Sequence, residues 1–247
     1  MSADLRAVAA EYLAVRRALG FGLVRAGLLL DQFLDHLDAT GQTVITIQAA
    51  LGWATAPDCP AASHWPTQRL AVVRGLAVWA HSADPRHELI PAGLLPGKGH
   101  RATPYLYSAA DVAALIGATA TLKTPLRRAT YATLVGLLSV TGMRLGEVIN
   151  LDLGDIDPVA GTLLIRNAKF GKTRQVMAHP STIAALAHYQ QLRDQGDPPA
   201  KTEALLVSTA GTRLLPSAVG WTFRRLVAVA GLEPRGPARP RIHDLRH

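Results

Sequence analysis

The segment TGMRLGEVINL, residues 141–151, decides how the second half of this sequence is organised. It follows a long apolar run, about residues 126–140, whose length and composition predict a buried helix. Gly142 is placed to end that helix, because glycine readily adopts the left-handed backbone found just after a helix C-terminus. Arg144 comes next, and Glu147 lies one helical turn further on, where its carboxylate can orient the guanidinium. An isolated Arg-x-x-Glu usually forms only a surface salt bridge, but here a buried helix and a glycine turn aim the arginine.

Composition and charge restrict the class of protein. The chain has 247 residues, 49% of them hydrophobic, which is enough for a substantial core and for two domains. The formal net charge of +8 favours a polyanionic partner, since clustered Lys and Arg displace the counterions condensed on nucleic acid. Residues 213–247 concentrate this charge, with seven arginines against two acids. Charge alone leaves ribosomal, membrane-surface and nucleic-acid partners open.

The sequence offers little for disulfides, metals or membranes. Cys59 is the only cysteine, so neither an intrachain disulfide nor a cysteine-rich metal site can form, and a cytoplasmic location is expected. The N-terminus lacks a signal-peptide core, because its most apolar early stretch, residues 28–30, is interrupted by Asp31. His87 begins a His-Glu sequence without the second histidine of a zinc protease, and no phosphate-binding Gly-x-x-x-x-Gly-Lys loop occurs.

Residues 1–84 predict a helical domain. Amphipathic runs cover about residues 2–19, 23–39, 46–53 and 66–82. Thr46 is a candidate N-cap, and Pro66 suits the first residue of the fourth helix. Residues 85–104 are rich in proline and glycine, which predicts a linker. The basic side chains of this linker are Lys98, His100 and Arg101.

Residues 105–247 predict a second, mostly helical domain. Ser108 and Asp111 have the spacing of a capping box. Two runs with strand-like composition, residues 162–166 and 174–177, flank a turn at residues 169–172 and so predict a β-hairpin. Further helices are expected over about residues 181–194 and 217–230, and from residue 242 onward. The predicted fold class is therefore mainly α, with a small sheet in the second domain.

Four residues of the second domain are candidates for chemistry on a phosphodiester. They are Arg144, Lys169, His243 and Arg246. Lys169 lies at the tip of the hairpin, where Lys172 and Arg174 are nearby substitutes and where a lysine is often simply solvated. His243 and Arg246 are three residues apart, which places them on one side of a helix. Two arginines can bind the nonbridging oxygens of a phosphate while histidine and lysine move protons.

In this order and in these contexts, the four residues resemble the site of the tyrosine recombinase/integrase family, the phage-integrase-like site-specific recombinases. TGMRLGEVINL is similar to the family's first catalytic-arginine box, NAKFGKTRQV to its β-hairpin lysine segment, and HDLRH to its His-x-x-Arg box. Glu147 matches an acidic position that supports the site. The resemblance covers about residues 105–247, and the N-terminal helices look like the family's SAM-like core-binding domain.

The resemblance implies a particular architecture and set of partners. A helical core-binding domain and an incomplete, mostly helical catalytic domain would form a C-shaped clamp on double-stranded DNA, in the cytoplasm and associated with the nucleoid. Complete members assemble as tetramers on DNA. The family needs no metal and no cofactor such as ATP, because a phosphotyrosyl bond stores the energy for rejoining.

The resemblance also implies a role for each candidate residue. Arg144 and Arg246 would hold the scissile phosphate. Lys169 would act as general acid toward the leaving 5′ oxygen, although Lys172 remains an alternative for this role. His243 would assist proton transfer. The reactions open to such a site are integration, excision, transposition or resolution, and the target sequence is not readable from the chain.

The sequence departs from the family at its C-terminal end. The family's site continues after the His-x-x-Arg box with a second His or Trp and then the nucleophilic tyrosine. The five tyrosines all precede His243; they are Tyr12, Tyr105, Tyr107, Tyr131 and Tyr189. We therefore expect a truncated chain that binds DNA, does not cleave it unaided and assembles weakly. The alternative is a cleavage-dead DNA-binding protein that modulates an intact recombinase.

Overall fold

The computed structural model describes residues 4–56, 64–96, 103–166 and 171–246. Within these ranges the chain forms nine α-helices and one three-stranded antiparallel sheet, so the predicted mainly α fold class is confirmed. The chain divides into two compact units, Met1–Arg101 and Ala102–His247. Each unit has its own hydrophobic core. The assignment of the first unit as a core-binding domain, followed by a linker, stays a prediction.

The first unit contains four helices: α1 (Leu5–Ala18), α2 (Val24–Ala39), α3 (Ile47–Ala54) and α4 (Trp65–Ala83). Thr46 caps α3 as predicted, because its hydroxyl accepts the backbone N–H of Ala49 at 3.1 Å. Pro66 is the second residue of α4, one position later than predicted, where its missing N–H still costs no helical hydrogen bond. The four helices enclose a core centred on Phe33, Trp53 and Leu70.

Residues just after α4 pack back on the first unit. His87 is buried, and its Nδ1 accepts the backbone N–H of Ile45 at 3.0 Å. Glu88 donates its own backbone N–H to the carbonyl of Ile45 at 2.8 Å, and Ile90 enters the core. The basic residues of the predicted linker, Lys98, His100 and Arg101, lie outside the described residues.

The second unit is built around a central helix. Its helices are α5 (Ala109–Ala118), α6 (Pro125–Thr141), α7 (Leu145–Ile149), α8 (Pro180–Asp194) and α9 (Pro216–Val229). Buried side chains of α6, among them Tyr131, Leu134 and Leu138, face the core, and α5 and α8 pack on this helix. The capping box at the start of α5 is confirmed, since Ser108 and Asp111 each accept the other's backbone N–H.

The predicted hairpin is present but belongs to a larger sheet. Its strands are β1 (Ile156–Asp157), β2 (Thr162–Ile165) and β3 (Arg174–Met177), paired antiparallel in that order. Sequence reasoning missed β1, because two residues are too few to show an alternating pattern. Residues 167–170, which include Lys169, lie outside the described residues.

The expected last helix is replaced by a 3-10 turn, Ile242–Arg246. This turn packs against α6. Its two apolar side chains, Ile242 and Leu245, are buried in the core of the second unit. A segment of five residues anchored in this way needs no full α-helical turn, and short 3-10 pieces commonly serve at such positions.

Candidate active site

Glu147 is the centre of the candidate site. Its side chain is only 6% exposed, whereas that of Arg144 is 47% exposed. Oε1 of Glu147 accepts Nη1 of Arg144 at 2.7 Å, and Oε2 accepts the backbone N–H of the same arginine at 2.8 Å. The carboxylate therefore fixes both the backbone and the guanidinium of Arg144, as the i, i+3 spacing predicts. The guanidinium keeps part of its surface open to solvent.

The local fold explains why Arg144 is aimed outward. The central helix α6 ends at Gly142, whose φ of 62° is the left-handed conformation that glycine adopts without strain. Met143 is then buried, Arg144 is extended with φ −76° and ψ 151°, and Leu145 is buried at the first position of α7. Two buried apolar neighbours hold the backbone on either side of one exposed cation.

The charge of Glu147 is stabilised in spite of its burial. Burial by itself would raise the pKa of the carboxyl group. The backbone N–H of Arg144 and the guanidinium groups of Arg144 and Arg174 outweigh that effect, so the pKa lies below its ordinary value. Glu147 is therefore an anion near neutral pH and holds two cations at the surface.

Arg174 joins the hairpin to this carboxylate. Its Nη2 donates to Oε2 of Glu147 at 2.9 Å, and its side chain is 44% exposed. Arg174 is the first residue of β3, and Lys172 lies exposed two positions earlier. The second predicted lysine, Lys169, lies outside the described residues, so its position relative to Arg144 stays a prediction.

His243 and Arg246 lie on the exposed side of the 3-10 turn. With about three residues per turn, positions three apart are almost in line, which places these two side chains on one face. The buried pair Ile242 and Leu245 shares a different face for the same reason. The prediction that His243 and Arg246 share a side therefore agrees with this turn, although it was derived for an α-helix.

The turn adjoins the segment that carries Arg144. A Cβ built on Gly142 would lie 4.0 Å from the carbonyl oxygen of Arg246. Three distant parts of the sequence, at residues 142–147, 172–174 and 243–246, are thus tied to one region of the second unit. Each of these parts carries exposed cations, and guanidinium groups can bind the oxygens of a phosphate bidentately.

Asp244 fixes the turn from inside. Its carboxylate is 4% exposed and accepts Nε and Nη2 of Arg241 at 2.8 and 2.9 Å. It also accepts the backbone N–H of Tyr105 at 3.1 Å, and the hydroxyl of Tyr107 donates to the carbonyl of Arg241 at 3.1 Å. The residues beside His243 are consequently held by the first segment of the second unit.

Sequence reasoning missed Arg241 and Asp244 as parts of this arrangement, and it named Arg174 only as a nearby substitute for Lys169. Arg241 and Asp244 had a usable signal, because their i, i+3 spacing repeats that of Arg144 and Glu147. The contact of Arg174 with Glu147 had no such signal, since the two residues lie 27 positions apart in the sequence.

The tyrosines of the second unit have structural partners. Tyr131 is buried in the core, in agreement with the prediction. Tyr105 is 1% exposed and lies under the guanidinium of Arg235, 4.6 Å from the ring centroid. Tyr189 is buried too, and its hydroxyl accepts the backbone N–H of Val207 at 3.2 Å. Burial raises the pKa of the Tyr107 and Tyr189 hydroxyls, which opposes ionisation.

Membrane-spanning helices and clusters of metal-ligating side chains are both absent from the described residues. None of their helices combines the length and apolar character needed to cross a membrane. Within the same ranges, no three His, Cys, Asp or Glu side chains group closely enough to hold a metal ion.

Comparison with known proteins identifies the family. Residues 107–247 match the sequence profile of the Phage integrase family. The protein "Putative integrase/recombinase y4rB" of Sinorhizobium fredii is 42% identical over 244 residues, which cover 96% of this chain and 77% of that protein. "Tyrosine recombinase XerC" of Alcanivorax borkumensis is 33% identical over 111 residues, which cover 45% of this chain and 34% of that protein.

Solved structures agree at the level of the fold. The Tn1549 transposon integrase in complex with transposon right end DNA matches with a TM-score of 0.64 and 17% identity, covering 97% of this chain and 84% of that one. A lambda integrase dimer bound to a COC′ core site matches with a TM-score of 0.60 and 16% identity, covering 98% and 86%. Profile, relatives and fold lead to one conclusion: the chain belongs to the phage integrase family, the tyrosine recombinases, which break and rejoin DNA.

Proposed function

We propose that the second unit is the phosphate-binding part of a site-specific recombinase that acts on duplex DNA by phosphotyrosyl strand exchange, of the integration or transposition type. The observation that carries this proposal is the meeting of three distant segments around Glu147 and Gly142. Each segment supplies a residue that the family resemblance assigns to the site. Support for a DNA substrate comes from the net charge of +8 and from the DNA-bound relatives of the same fold.

In the complete reaction, Arg144 and Arg246 bind the nonbridging oxygens of the scissile phosphate and stabilise the charge that grows there. A tyrosine hydroxyl attacks phosphorus and loses its proton, with assistance from His243. The bond from phosphorus to the 5′ oxygen breaks as a phosphotyrosyl bond forms. Lys169, or Lys172 in its place, gives a proton to the departing 5′ oxygen. Reversal of these steps with another strand rejoins the DNA.

The nucleophilic tyrosine does not occur after Arg246 in this sequence. A polypeptide of these 247 residues is therefore proposed to bind duplex DNA without cleaving it. Binding would take place at the nucleoid, and assembly into a tetramer on DNA would be weak.

DNA binding is tested with a fluorescent pool of random-sequence duplexes and a salt series. Because bound cations displace condensed counterions, log affinity should fall linearly with log salt concentration. A flat response, or no binding at low salt, would contradict a DNA-binding function. The duplexes that bind most tightly define a selected site for the next experiment.

Chemical competence is tested by supplying the nucleophile. On the selected duplex, the chain alone should give no covalent protein–DNA adduct on a denaturing gel. Added hydrogen peroxide should allow cleavage, because its anion can attack phosphorus while the 5′ oxygen leaves with a proton. Arg246→Ala should remove this cleavage. An adduct without peroxide would show that the chain has its own nucleophile, whereas binding without peroxide-dependent cleavage would favour a cleavage-dead modulator.

A further inference from the structure

The two carboxylate oxygens of Glu147 accept hydrogen bonds from two arginines that lie in different parts of the fold. Oε1 accepts Nη1 of Arg144 at 2.7 Å, and Oε2 accepts Nη2 of Arg174 at 2.9 Å. Arg144 lies at the start of α7, whereas Arg174 lies at the start of β3. One buried carboxylate thus bridges the arginine box and the hairpin.

The bridge sets the charge of the site. Arg144 and Glu147 alone form a neutral pair, which would weaken attraction for a phosphate. Arg174 brings a second positive charge to the same carboxylate, so the three side chains together carry a net charge of +1. The side chain of Arg144 remains 47% exposed and is open to an anion, whereas Arg174 offsets the charge of the shared carboxylate.

The backbone of Arg174 is fixed independently of the ion pair. In the sheet it lies opposite Ile165, which is 1% exposed and belongs to the core of the second unit. A strand register anchored in the core cannot slip without exposing that side chain. Arg174 therefore stands at the point where the rigid sheet ends and the turn with Lys172 begins, two residues away.

We infer that Arg174 is a positioning residue, which holds Lys172, two residues before it, in register with Arg144 through Glu147. It acts on the leaving-group proton transfer through the lysine and contacts no reacting atom itself. The inference rests on the proposed function, because it presupposes a phosphodiester bound at Arg144 and a lysine that protonates the 5′ oxygen.

The test separates proton donation from phosphate binding. Peroxide-dependent cleavage is measured on the selected duplex with ordinary phosphates. It is also measured on a series of the same duplex in which sulfur replaces the 5′ bridging oxygen of one phosphate at a time. An alkoxide needs a proton as it leaves, whereas a thiolate leaves without one because its conjugate acid is far stronger. The sulfur substrate therefore bypasses the lysine.

Arg174→Ala should slow cleavage of the ordinary duplex by tenfold or more and cleavage of the sulfur-containing duplex by less than threefold. Arg174→Lys, which keeps a cation beside Glu147, should recover most of the rate on the ordinary duplex. Arg166→Ala is the matched control, because Arg166, just after β2, is 60% exposed and pairs at 2.6 Å with the buried carboxylate of Asp155, just before β1. This control should leave the ratio of the two rates unchanged.

Three results would overturn the inference and leave the proposed function standing. Equal loss on both substrates in Arg174→Ala would assign Arg174 to the structure or charge of the phosphate site and not to the lysine, and unchanged rates on both would indicate no role. If Arg166→Ala changed the ratio of the two cleavage rates as much as Arg174→Ala does, the effect would come from the sheet region as a whole and not from Arg174. If the unmodified chain cleaves neither duplex with peroxide, the proposed function itself is wrong, and the inference falls with it. Thermal melting of each variant checks that it is folded.

Discussion

The carboxylate of Asp244 accepts the backbone N–H of Tyr105 at 3.1 Å, across 139 positions of the sequence. The same carboxylate holds the guanidinium of Arg241 through two hydrogen bonds. Tyr105 is the more deeply buried partner, at 1% exposure. The exposed residues His243 and Arg246 are therefore presented by a turn whose interior is tied to the beginning of the second unit.

Asp244→Ala should destabilise the second unit. The substitution leaves the buried N–H of Tyr105 without this acceptor and removes both hydrogen bonds to Arg241, so a loss of about 2–3 kcal/mol in the free energy of unfolding is expected. Urea denaturation followed by circular dichroism measures it. Glu233→Ala, at an exposed acid of the same unit, should change the free energy by less than about 0.5 kcal/mol. Equal effects of the two substitutions would contradict the role given to Asp244.

Gly142→Ala and Gly136→Ala should have opposite effects. Gly142 has a φ of 62°, where alanine is strained, so about 1 kcal/mol of stability should be lost. Gly136 lies inside α6, and a Cβ there would meet nothing within 4 Å. Alanine should therefore stabilise that position by about 0.5–1 kcal/mol, because it restricts the unfolded chain more than glycine does. Thermal melting of the two variants tests the difference in sign.

The first unit should lose stability in mild acid because of His87. Burial lowers the pKa of this histidine below its ordinary 6.5, although the carboxylate of Asp84 opposes the shift. Protonation at Nδ1 would also break the hydrogen bond from Ile45. The unfolded state then binds more protons than the folded state, so this contribution is complete above pH 6.5 and is lost as the pH falls toward the folded pKa.

The measurement is the free energy of unfolding between pH 5 and pH 8. His87→Asn should flatten its pH dependence below pH 6.5, at a lower overall stability. His64→Gln, at an exposed histidine of the same unit, should leave the pH dependence as it is. If the free energy of unfolding still fell below pH 6.5 after replacement of His87, another group would be responsible for the pH dependence.

Arg144→Ala should weaken DNA binding only modestly. A single phosphate contact is lost among many, so affinity for the selected duplex should fall by less than about tenfold and the salt slope should decrease by about 1. The same substitution should abolish peroxide-dependent cleavage, because the charge that grows on the phosphate is then unsupported. A salt slope equal to that of the unmodified chain would show that Arg144 does not contact phosphate.

Much of the fold follows from local patterns. The apolar run before Gly142, the capping box at Ser108 and the N-cap at Thr46 were all predictable, because each depends on residues within a few positions of one another. The last segment was predicted as a helix and is a 3-10 turn, since packing of Ile242 and Leu245 against the core determines its length.

In the candidate site too, local features were predictable from the sequence and long-range contacts were not. The sequence by itself determined the residue types, the pairing of Arg144 with Glu147 and the shared face of His243 and Arg246. Residues three positions apart lie on the same side of both an α-helix and a 3-10 turn. Only the tertiary structure decided that Arg174 takes the second oxygen of Glu147 and that Asp244 holds Tyr105. Those contacts join residues far apart in the chain, and their geometry depends on how buried side chains pack the elements together, which no spacing in the sequence records.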